Sequence, residues 1–145
     1  MPLPLRLILA ALALVLATGL APLRADEIAA ADRDAIRSII AGQIAAFRAD
    51  DGAAAYGYAS PTIRSYFPTP DQFMGMVRNG YMPVYRPRSV TFGAIESSPA
   101  GPVQKVFVTG PDGRNWVAIY TLQRQPDGSW KINGVRLVED DSPSI

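Results

Sequence analysis

The chain predicts an α+β fold, with helices first and an antiparallel sheet after them. Three observations lead there. Between Asp32 and Gly80, apolar residues recur at spacings of three and four, the period of a helix stripe. From Ser89 to Val138, β-branched and aromatic residues gather in short runs. PAGP, GPDGRN and PDGS separate those runs, and Asp-Gly in such loops is a hairpin signal. Helices and strands segregated along a chain bury their apolar faces as helices on one face of a sheet.

The first helix is expected over 32–49. Ile36, Ile39, Ile40, Ile44 and Phe47 form its stripe, and Asp32 and Asp34 sit in the first turn, where the helix dipole favours negative charge. Gln43 falls beside the stripe and either faces inward or marks its edge. The stretch RADDGAAAYGYAS comes next, and its Asp50-Asp51 reads as a catalytic pair or as punctuation between helices. Punctuation is preferred, because an Asp before Gly-Ala-Ala-Ala accepts a hydrogen bond from the free amides of a new helix. A short helix over 52–59 then ends at Ser60-Pro61, with Pro suited to a first helical position. Residues 62–67 make another turn or two. Thr69 caps a further helix that Pro70 opens, and Gly80 suits the position just past its end. Two prolines make 81–87 an irregular or short edge segment. Strands are expected over 89–95, 103–109, 116–125 and 130–138, paired as a meander.

The 145 residues suit one domain. MPLPLR, an apolar run over 7–20 and Ala25 before Asp26 match a secretory signal with cleavage after Ala25. That run has 14 residues, short of the roughly 20 a membrane span needs. An uncleaved anchor is the alternative. A single domain over 26–145, periplasmic or secreted, would remain, with no stable membrane span. Losing Arg6 and Arg24 moves the formal net charge from +1 to −1, which gives no basic footprint for nucleic acid.

The chain has no His and no Cys. That excludes a Cys or His zinc site and any Ser–His–Asp or Cys–His nucleophile. General acid or base work falls to Asp, Glu, Tyr or Lys. No nucleotide-binding glycine motif occurs, so neither cofactor nor metal is expected. The 13 carboxylates fall in tails, first helical turns, hairpin loops, a strand end (Glu96) and the Asp50-Asp51 junction. None is expected inside a strand or helix, where a pocket wall would be. Glu139-Asp140-Asp141 reads as a solvated tail or a weak cation site.

The aromatic residues suit binding better. Tyr56, Tyr58, Tyr66, Phe67 and Phe73 gather on the short helices, with Trp116 and Tyr120 on a central strand. They read as core or as walls for a small apolar or amphipathic ligand. If the PDGS loop pairs Gln125 with Trp130, Arg124 lies opposite Lys131 on an exposed face. Arg136 is then the better candidate for a cation in a pocket mouth. The candidate pocket set is Gln43, Tyr56, Tyr58, Tyr66, Phe73, Tyr120 and Arg136.

QIAAFRADDGAAAYGYASPTIRSYF, with FMGMV, YMPVYRP, VQKVFV and WKINGVRL after it, resembles a family of small exported bacterial proteins known only as a domain of unknown function. The likeness covers 36–137. Relatives often carry Cys at the position of Val135. Element order and the W-x-I of the last strand also resemble the superfamily of nuclear transport factor 2, ketosteroid isomerase and scytalone dehydratase. That likeness implies a cone-shaped roll, a bent sheet around helices with a cavity open at one end. The reading reached is a non-enzymatic ligand-binding or interaction domain, alone, as a homodimer through its sheet or with an envelope protein. The alternative is an isomerase or dehydratase with a Tyr acid and Asp51 or Glu96 as base.

Overall fold

The computed structural model describes residues 27–142, so the signal expected over 1–25 lies outside the described residues. Among the described residues, five helices precede four strands. Helix α1 is Ala30–Arg48 and buries Ile36, Ile40, Gln43, Ile44 and Phe47. Three short helices each start at a side-chain cap. For α2 (Gly52–Gly57), Asp51 Oδ1 accepts from the Ala54 amide at 3.1 Å. For α3 (Pro61–Tyr66), Ser60 Oγ accepts from Ile63, and for α4 (Pro70–Gly80), Thr69 Oγ1 accepts from Gln72. Residues 82–85, expected as irregular or edge chain, form a fourth short helix, α5 (Met82–Tyr85). Pro83 sits in its first turn, where no amide donor is needed.

Strands β1 (Ser89–Glu96), β2 (Val103–Thr109), β3 (Asn115–Arg124) and β4 (Trp130–Glu139) form one open antiparallel sheet in the order β1-β2-β3-β4. The fold is therefore α+β, with the helices on one face. The core joins Ile36, Ile40 and Phe47 of α1 to Val106, Ala118, Tyr120, Leu122 and Ile132 of the sheet.

Helix α2 ends two residues before its expected limit because residues 58–60 turn to pair with β4. The Ser60 amide donates to the Ile132 carbonyl at 2.8 Å, and the Ile132 amide donates to Tyr58 at 2.9 Å. The β3–β4 register also differs from expectation by one residue. The Gln125 amide closes the turn on Ser129, so Arg124 pairs with Trp130 and Gln123 with Lys131. Arg124 therefore reaches the helix side, where its guanidinium lies 2.8 Å from Asp32 and over the Trp130 ring. Hydrogen bonds from Arg124 and then Trp130 hold the Asp32 carboxyl below the usual carboxylate range. Farther along, Thr121 pairs with Gly134 and Leu122 with Ile132, which leaves Asn133 as a bulge. Beyond it Val135 and Leu137 share the inner face with Tyr120 and Ala118, and Arg136 turns outward opposite Ile119.

The α1–α2 junction uses both aspartates. Asp51 is the cap. Asp50 takes a left-handed φ of 53°, tolerable for Asp, and its carboxylate accepts from Tyr85 Oη and, at 2.8 Å, from Arg86 Nη2. Arg86 Nη1 also donates to the Phe47 carbonyl at the end of α1. Tyr85 first and Arg86 second hold the Asp50 carboxyl below its ordinary range. The folded state thus binds that proton more weakly than the unfolded chain does. The stabilisation is present above the unfolded value near 3.8 and is lost as pH falls through the folded one. Asp51→Ala should lower stability by about 1 kcal/mol in urea unfolding. Asp50→Ala should lower the melting temperature at pH 7 and flatten its decline below pH 4.

Tyr120 is fully buried, and its hydroxyl has no hydrogen-bond partner among the described residues. Burial alone pushes its ionisation far above the ordinary value near 10. Proton loss therefore favours the unfolded chain, and stability falls as pH rises above 10. Tyr120→Phe should be neutral or stabilising by up to about 1 kcal/mol, since it removes an unsatisfied buried group. It should also flatten the alkaline limb of the stability curve. A clear destabilisation would show that the hydroxyl does have a partner.

Candidate functional site

A cavity of about 250 Å³ lies where the helices meet β4. Helix α1 supplies Gln43 and Phe47, α3 and its end supply Ile63 and Phe67, and α4 supplies Phe73, Met76 and Val77. Tyr81 and Val84 close it from the α5 segment, and Ile132, Gly134 and Val135 from β4. The sheet contribution depends on the Asn133 bulge. The inward positions on either side of it, Ile132 and Val135, become neighbours on one wall.

The lining is apolar apart from Gln43 and Tyr81. Gln43 is 3% exposed, and its amide nitrogen donates to the Ala55 carbonyl at 3.2 Å. Its side-chain oxygen takes no hydrogen bond among the described residues. No Asp, Glu, Lys or Arg lines the cavity. Such a space can hold an apolar body, with Gln43 and Tyr81 as the residues able to hydrogen-bond it. Among the described residues, no three His, Cys, Asp or Glu side chains converge as a metal site.

Of the candidates read from the sequence, Gln43 and Phe73 line the cavity, as does Phe67 of the wider aromatic set. Tyr56 stands behind it. Its ring packs on Phe73 at 5.6 Å between centroids, and its hydroxyl donates to the Phe67 carbonyl at 2.7 Å. Tyr58 packs its hydroxyl against α1, where a Cβ on Gly42 would lie 2.5 Å from it. Tyr66 is 74% exposed on α3. Tyr120 lies in the core beneath α1, and Arg136 is on the outer face of the sheet beside a shallow groove with Val103, Ile119 and Thr121. Neither belongs to the cavity lining. Asp51 is the cap of α2, and Glu96 is exposed on β1 opposite Val103.

Sequence reasoning left out most of the wall: Phe47, Ile63, Met76, Val77, Tyr81, Val84, Ile132 and Val135. Periodicity marks the helical ones as inward-facing but does not separate core from cavity wall. Val135 had no usable signal, because it turns inward through a bulge in the β3–β4 pairing, beside the point where residues 58–60 meet β4.

No helix of the described residues is long and apolar enough to cross a membrane. No curated protein matches the chain. A family model described as "Domain of unknown function (DUF4864)" matches residues 13–145, nearly the whole sequence and all of the helices and strands around the cavity. The chain belongs to the DUF4864 family of domains of unknown function.

Proposed function

We propose that the domain binds a small apolar or amphipathic molecule in the helix–β4 cavity and does no chemistry on it. The observation that carries this is the lining, apolar side chains around the Gln43 oxygen with no carboxylate or cation among them. A general base must come within hydrogen-bond reach of its substrate. Asp51 is engaged by helix α2 and Glu96 sits on β1, so the isomerase-like alternative lacks a base at this cavity. At about 250 Å³ the space falls just below the range of about 300–1,000 Å³ for drug-sized ligands, so the ligand is small. Helices ahead of a bulged sheet, with a cavity between them, support placement in the nuclear transport factor 2-like superfamily. The basic start, apolar run and Ala25-Asp26 step support export to the periplasm or beyond.

A second reading is docking of a like copy or an envelope protein on the outer sheet face. Phe107, Val117 and Val138 form one row across it, and Phe107 and Val138 are 42% and 38% exposed.

A thermal-shift screen of small apolar and amphipathic compounds tests the first reading. A true ligand at about a hundredfold excess over its Kd stabilises by about 2.7 kcal/mol, a rise of several degrees. Val135→Phe, which fills the wall, should abolish that rise, and Gln43→Leu should weaken ligands that carry a hydrogen-bond donor. If no compound raises the melting temperature, the reading fails. Fractionation should recover the protein in the periplasm or medium with Asp26 as its first residue; recovery in the cytoplasm with Met1 intact would end the export proposal. Sedimentation should show a dimer that Phe107→Glu dissociates if the sheet face joins two copies.

A further inference from the structure

A second concavity lies across the α3–β4 seam from the cavity. Helix α3 and strand β4 each send consecutive residues to opposite sides. Ile63 and Ile132 line the apolar cavity, and Arg64 and Lys131 line the second groove with Ala59, Pro61, Ser65 and Gln125. The two spaces share no lining residue, so a role for the groove stands apart from the cavity reading.

The groove contains two cations and no carboxylate. Arg64 lays its guanidinium 4.8 Å over the centroid of the Tyr56 ring. Its Nε is buried with no hydrogen-bond partner among the described residues. Neither Arg64 nor Lys131 belongs to any of the three ion pairs among the described residues. Lys131 Nζ donates to the Gly57 carbonyl at 2.6 Å, which leaves two of its three donors unused. Asp127 in the neighbouring hairpin loop is engaged locally, its carboxylate accepting from the Ser129 amide and hydroxyl at 2.9 and 2.6 Å. Ser65 and Gln125 direct their donors at Thr62 and Gln123, so the cations are the binding groups.

Both cations are held before any ligand arrives, Arg64 by an aromatic face and Lys131 by a backbone carbonyl. Much of the side-chain ordering that anion binding requires is therefore already in place. A guanidinium fork matches two phosphate oxygens, and an ammonium adds a point charge.

We propose that the Arg64–Lys131 groove is an anion site that takes a phosphate group, through Arg64 as the fork and Lys131 as the second charge. The phosphate is either free, as inorganic phosphate or a small monoester, or the headgroup of an anionic phospholipid.

Titration of the purified protein with inorganic phosphate and methyl phosphate at constant ionic strength, monitored by amide chemical shifts, tests the site. Saturable shifts are expected over 59–65 and 125–131. Arg64→Gln should weaken binding by at least about tenfold, as loss of a charge-assisted pair does. Lys131→Gln keeps a donor for Gly57 and should weaken it less, and Arg136→Gln, on the outer sheet face, should leave it unchanged. Melting temperatures verify that each variant is folded. Flotation with phosphatidylglycerol vesicles against phosphatidylcholine vesicles separates the two sources. Arg64-dependent capture by the anionic vesicles assigns the headgroup, and phosphate binding without capture assigns a soluble ligand. The proposal is overturned if neither phosphate nor anionic vesicles bind, if chloride gives the same shifts, or if Arg64→Gln binds as the parent does.

Discussion

Two backbone hydrogen bonds, from Ser60 to Ile132 and from Ile132 to Tyr58, join the helical half of the chain to the sheet. They occupy the amide and the carbonyl of Ile132 on the outer edge of β4, at a point where an edge strand would otherwise present them to solvent. Ser60 adds a third link, as its hydroxyl donates to Asn133 Oδ1 at 2.8 Å and accepts from the amide of Ile63. One residue thus caps α3 and holds the bulged residue of β4. Because α3 begins at this tie, Ile63 faces Ile132 across the cavity and Arg64 lies beside Lys131 across the groove. Both candidate sites are consequences of where 58–60 meets β4.

The other end of the cavity depends on the close of α1. Helix ends leave carbonyls without partners. Here Arg86 reaches the Phe47 carbonyl while pairing with Asp50 and lying 4.1 Å over the Tyr85 ring. That cluster ties α1 to α5 and places Phe47 and Val84 on one wall. On the opposite side of α1, Gly42 admits the Tyr58 hydroxyl to a distance that a side chain would forbid. Tyr58 is also a partner of Ile132, so this contact lets α1 come down onto the strap that carries α3. The two carboxylates at the junction are engaged by these ends, one as an anchor and one as a cap.

The range of each interaction decides how much of the fold is legible in the chain. Caps at Asp51, Ser60 and Thr69 are local and can be read directly, as can the period change at Ser89 and the hairpin loops. Helix α5 escapes the sequence reading because the prolines of 81–87 argue against a strand, while Pro83 in a first turn is equally compatible with a helix. The Arg124 register escapes it because a P-D-G loop permits two closures one residue apart. The choice is favoured by distant partners, Asp32 and Trp130. For the candidate site, Gln43 and Phe73 can be reached from stripe and composition, but the β4 wall cannot. Its orientation depends on the Asn133 bulge, a non-local feature.

That bulge also decides which chemistry each face of β4 can offer. A shift of one residue in a strand exchanges its two faces. Had Asn133 paired regularly instead of bulging, the alternation running from Ile132 would place Arg136 toward the helices and Val135 toward solvent. The cavity would then carry a guanidinium in a wall of Phe, Val and Met side chains. Burying such a charge without a counter-ion is costly, and no carboxylate lines this space to offset it. With the bulge, Val135 completes an apolar wall and Arg136 is exposed beside Ile119. The apolar character of the cavity is therefore a property of strand register as much as of composition. Under the proposed binding role, ligands would be selected by the absence of charge, with Gln43 and Tyr81 as the polar residues of the wall.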